Sequence, residues 1–91
     1  DAGIAACAIQ HLAAMLSSAD PRTAAKLLGY VESVFAAGYR RENTEQYTHA
    51  LLLAELHERL NDDEITALGL EGAAMTELQA ARVAARGPRA A

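Results

Sequence analysis

The sequence predicts an all-α domain, built of about five helices in antiparallel, tetratricopeptide-like hairpins. Three observations carry that expectation. Apolar residues make up 52% of the 91 positions, and alanine and leucine, both strong helix formers, supply most of them. Residues that favour strands are few, and the aromatics are only Tyr30, Phe35, Tyr39 and Tyr47. Apolar positions recur at three- and four-residue spacing, the period of a helix face, and nowhere alternate strictly.

The first helix is expected over about Gly3–Ser18. Ile4, Ala8, Leu12 and Met15 or Leu16 form its buried face, with Ala5 and Ile9 beside them. "SSADP" ends it. Asp20 is a natural N-cap and Pro21 suits the first helical position, so a second helix runs to about Ala37. Its core face is Ala24, Leu27, Leu28, Val31 and Phe35, and Gly38 is a C-terminal glycine suited to a left-handed cap. "YRRENTEQ" is a polar connection in which Asn43 and Gln46 resemble a capping box.

A third helix follows over about Thr44–Leu60, with one stripe of Tyr47, Leu51 and Ala54 and another of Leu53, Leu56 and Leu60. That width implies contact with more than one neighbour. Asn61 with Glu64 opens a fourth helix over Asp62–Ala74 carrying Ile65, Leu68 and Gly72. Thr76 with Gln79 opens a short fifth to about Ala85, with Leu78, Ala81 and Ala85 facing inward. Residues 1–86 therefore make one helical domain, and 87–91 read as a frayed tail. The first two helices and their turn span roughly 34 residues, the tetratricopeptide period. The third and fourth suggest a second hairpin, though the two halves share no clear internal identity.

Gly29 interrupts an otherwise good helix, where glycine costs about 1 kcal/mol relative to alanine. Ala25 and Gly29 lie four residues apart and form a small-residue groove. The alanines of the first helix are the expected partner, so that close packing of two backbones offsets the lost propensity.

Chemistry is harder to find. Cys7 and His11 share a helix face, but a structural zinc needs four ligands and no second pair exists. A Cys–His nucleophile there lacks a third orienting group and an oxyanion hole. "HERLN" around His57 has asparagine at position 61 where a zinc protease motif needs histidine. Glu45 and His49 read as a solvated helix pair. Asp62, Asp63 and Glu64 suit the first turn of a helix, where the dipole favours negative charge. "LGLEGAAM" matches no phosphate-binding loop. Gly69 and Gly72 there weaken or bend the fourth helix or let it approach a neighbour. Arg40 and Arg41, the only paired arginines, are a candidate contact for an anion or a partner carboxylate, against the plainer reading of a solvated loop.

A net charge of −4 without a basic stripe argues weakly against nucleic-acid binding. A single cysteine allows no internal disulfide, which fits a reducing cytoplasm. No run of residues reaches the length of a membrane span, and the apolar start lacks the basic region of a signal peptide. That start also reads as a chain entered mid-helix, a piece of a longer protein.

Several stretches together carry a resemblance. "DPRTAAKLLGYVESVF", "RRENTEQYTHALLLAELHERLND" and "EITALGLEGAAMTELQAARVA" resemble the C-terminal helical region of large bacterial ATPase-containing transcriptional regulators. These have tetratricopeptide-like tails joined to a winged-helix or LuxR-type DNA-binding domain. The matching positions are Asp20, Pro21, Ala24, Ala25, Leu27, Leu28 and Gly29; Thr44, Glu45 and Gln46; Leu56 and Leu60; and Glu71, Gly72, Met75 and Thr76. The resemblance spans nearly the whole chain and implies a tail that contacts proteins or senses an effector and contributes no catalytic residue.

The expected function is thus a non-catalytic interaction or regulatory module of a cytoplasmic bacterial regulator. It binds protein through an apolar helix face, with no cofactor, metal, membrane or direct nucleic-acid contact. Ile9, Leu12, Leu52, Leu53 and Leu56 are the expected interaction surface. The alternatives are a self-dimerisation module, the isolated piece forming a homodimer, or a small metal-binding or enzymatic helical protein.

Overall fold

The computed structural model describes residues 2–38 and 43–86. Five helices follow one another, with no strand among the described residues: α1 (Ala2–Leu16), α2 (Pro21–Ala36), α3 (Asn43–Arg59), α4 (Asp62–Ala73) and α5 (Glu77–Arg86). Their starts are set by local side-chain chemistry. The Asp20 carboxylate accepts the Thr23 backbone N–H at 3.1 Å and the Thr23 hydroxyl at 2.6 Å, and Pro21 opens α2. Asn61 and Glu64 form a reciprocal capping box on α4, at 2.8 and 3.0 Å. Thr76 and Gln79 do the same before α5, at 2.8 and 3.1 Å. At the end of α2, Gly38 takes a φ of +116°, a conformation glycine adopts without strain. The Asn43 side chain, and with it the expected box with Gln46, lies outside the described residues.

The core is centred on α2, which packs against all four other helices. Ala24, Leu27 and Val31 are fully buried on it, with Ala25, Leu28 and Tyr30 nearly so. The remaining core comes from Ala6, Ile9, Ala13 and Leu16 of α1, Leu52 and Leu56 of α3, Leu68 of α4, and Ala80 and Ala84 of α5. Consecutive helices α1 and α2 pack together. The next consecutive pair, α3 and α4, barely touch: α3 lies on α1, and α4 on α2.

Two helices present a different face from the expected one. On α1 the buried positions are Ala6, Ile9, Gln10, Ala13 and Leu16, while Ile4 is 71% and Met15 78% exposed. The helix carries no Asp, Glu, Lys or Arg, so no charge marks its solvent side, and even Gln10 is buried. On α5, Ala80 and Ala84 turn inward while Leu78, Ala81 and Ala85 are exposed. Ala80 and Ala84 lie on the side of the helix opposite the exposed Arg82 and Arg86. That small-residue face lets α5 come close to α1 and α2. On α2, Phe35 is only half-buried.

Gly29 does sit at a close helix crossing, but its partner is α4 rather than α1. A methyl group built on Gly29 would overlap the Gly69 carbonyl oxygen and stand 2.5 Å from the Gly69 Cα. One built on Gly72 would overlap the Lys26 carbonyl oxygen and stand 2.9 Å from the Tyr30 nitrogen. Two helices thus meet backbone to backbone, and any Cβ at either position would hold them apart. A methyl on Gly69 itself meets nothing within 4 Å. The pairs Arg22–Glu64 (2.8 Å) and Lys26–Glu71 (3.8 Å) also join the two helices, but both are too exposed to contribute much.

Tyr30, next to this crossing, has its phenol pushed above its usual value, first by burial and then by the negative charge of Glu77. The folded state therefore holds the Tyr30 proton more tightly than the unfolded chain. That contribution is whole below about pH 10, where a tyrosine in the unfolded chain begins to ionise, and is lost as pH rises beyond it. Tyr30→Phe should flatten the fall in melting temperature above about pH 10, as read by circular dichroism. An unchanged alkaline limb would show that the phenol is not the group responsible.

Candidate functional site

Of the residues expected to face a partner, Ile9, Leu52 and Leu56 belong to the core, with 4%, 1% and 0% of their surface exposed. Their side chains are used in joining α1, α2 and α3 and are not available to a second protein. Leu12 is exposed and Leu53 is half-buried. Arg40 and Arg41 lie outside the described residues.

The apolar surface that remains is instead on the outer side of α1. Ile4, Ala8, Leu12 and Met15 recur at four-, four- and three-residue spacing, so they form one stripe along the helix, and all four are exposed. On α3, which packs against α1, Tyr47, Leu51 and Ala54 form a second exposed stripe. Both helices thus carry a filled inner face and an outer face with a stripe of exposed apolar side chains, interrupted by His11 on α1 and Glu58 on α3. Leu70 and Leu78 are further exposed leucines, on α4 and α5.

A second feature is a groove of about 600 Å³ between α2, α3 and α4. Leu28, Leu53, Ile65 and Leu70 line it, and Gly29 and Gly69 form part of its wall. At its edge His49 Nε2 meets the Glu32 carboxylate of α2. This contact joins two helices; the Glu45 side chain, the expected partner of His49, lies outside the described residues. Sequence spacing carries no signal for such a contact.

The remaining chemistry-bearing residues are dispersed. Cys7 is half-buried in α1, and His11 is exposed on it. His57 Nδ1 lies 3.1 Å from Asp62 at the turn into α4. Glu64 serves the α4 cap and meets Arg22, so the acidic first turn is partly spent on structure. No group of three or more His, Cys, Asp or Glu side chains converges among the described residues. No helix there is long and apolar enough to cross a membrane.

The chain matches no family model, and no curated protein or solved structure is significantly similar to it.

Proposed function

We propose that this chain is a non-catalytic protein-interaction module that docks a partner helix on the outer face of α1. One observation carries the reading. α1 has no Asp, Glu, Lys or Arg, and with its inner face filled it still presents Ile4, Ala8, Leu12 and Met15 to water. His11 is the one exposed polar side chain described on that face of α1, and contiguous exposed apolar surface around it marks an interaction site. The outer stripe of α3 would widen the same docking face. The occupant is an amphipathic helix, since i, i+4 apolar stripes pack against their own kind.

The resemblance to the helical tails of bacterial ATPase-containing transcriptional regulators supports the same reading. There the partner is the stacked, tetratricopeptide-like helices of the parent chain or a regulatory protein in the cytoplasm. In such arrays each helical pair buries a face against its neighbours.

By itself the chain should cover the stripe with a second copy, as a symmetric dimer. Light scattering over a concentration series should show a rise from monomer to dimer mass. Ile4→Glu combined with Met15→Glu should hold the protein monomeric with its helical circular dichroism unchanged, because like charges would face each other in any symmetric pairing. A strictly monomeric wild type at high micromolar concentration would contradict the proposal. So would a double variant that dimerises as well as the wild type.

A further inference from the structure

We propose that the cleft between α2, α4 and α5 binds a small amphiphilic anion, a phosphate monoester carried on a short apolar body. Two adjoining hollows, of about 330 and 550 Å³, share Lys26, Glu71, Val83 and Arg86 and form one continuous cleft. The first is also lined by Arg22 and the second by Arg82, so four of the eight Lys and Arg residues of the chain gather there. Against Asp20 and Glu71 they leave the lining at a net +2, on a chain whose net charge is −4. The contrast in sign marks the cleft as the place where an anion is attracted.

The charges differ in how far they are committed. Arg22 meets Glu64 and Lys26 meets Glu71, while the Asp20 carboxylate accepts both Thr23 donors at the start of α2. Arg82 and Arg86 stand one helical turn apart on α5, on the same face, and neither has an ion-pair partner among the described residues. Two guanidinium groups at that spacing supply the forked donors that phosphate oxygens accept, and Lys26 adds a compact charge beside them. Apart from Thr23 and Gln79, the uncharged lining is apolar: Leu68 is buried under the first hollow, and Val83 and Met75 are half-buried along the second, beside Ala74. An anionic head with an apolar body matches both parts, and neither free phosphate nor a neutral hydrocarbon does. This cleft is separate from the α1 stripe, so the two proposals stand or fall independently.

The test is a titration of the whole chain with hexyl phosphate, inorganic phosphate and hexylammonium, followed by amide chemical shifts. Hexyl phosphate should saturate, with the largest shifts at Met75, Val83 and Arg86. Inorganic phosphate should bind the same region more weakly, and hexylammonium should not bind there. Replacing both arginines, Arg82→Gln with Arg86→Gln, removes exposed side chains and should leave the fold intact while weakening hexyl phosphate by about tenfold or more. The proposal is overturned if the double variant binds as tightly as wild type. It is equally overturned if inorganic phosphate or hexylammonium binds as well as hexyl phosphate, or if no site saturates.

Discussion

Leu27→Ala will destabilise the domain by about 2–5 kcal/mol, the range for deleting a buried leucine side chain. Leu27 has no exposed surface, and it lies on the one helix that packs against all the others. A cavity there loses contacts on several sides at once, and helices fixed by backbone crossings have little freedom to collapse into it. A chain of this size has a total stability of roughly 5–14 kcal/mol, so the variant should melt far below wild type or fail to fold. The check is urea denaturation followed by circular dichroism. A loss under about 1 kcal/mol would mean that α2 is not the centre of the core.

Gly72→Ala will cost about 3 kcal/mol, the upper end of the range for overpacking. For a domain of this length that lowers the melting temperature by roughly 12–24 °C. The added methyl meets the Lys26 carbonyl group and the Tyr30 nitrogen, which are backbone atoms and cannot rotate out of its path. Gly29→Ala, against the Gly69 backbone, should cost a similar amount. Gly69→Ala should do the opposite. Its methyl points into open space, and the gain in helix propensity is roughly 0.8–1 kcal/mol. Three glycines at one crossing thus give two signs. Losses at all three, or at none, would contradict the α2–α4 geometry.

What the sequence revealed depended on whether the deciding interaction was local. Asp20, the Asn61–Glu64 box and the Thr76–Gln79 box act over three residues, so the starts of α2, α4 and α5 could be placed from spacing alone. The inner face of α2 was legible because Arg22 and Glu32 mark its wet side. α1 has no Asp, Glu, Lys or Arg, so periodicity had little to orient it, whereas on α5 Arg82 and Arg86 mark the wet side opposite Ala80 and Ala84, a signal that the expected face, built on Leu78, did not follow. Gly29 announced a close crossing by its cost, but the choice between the alanines of α1 and the glycines of α4 was made by tertiary packing. The exposed stripe on α1, the Glu32–His49 contact and the basic cleft all join residues whose relation appears only once the helices are placed.

The docking face is tested most directly by amide chemical shifts recorded through a dilution series of the wild-type chain. A docking face on α1 requires concentration-dependent shifts at Ile4, Ala8, Leu12 and Met15, extending to Tyr47 and Leu51 if α3 widens the face, with α4 and α5 unaffected. Shifts that do not change with concentration, or that appear only around Leu70 and Leu78, would contradict it.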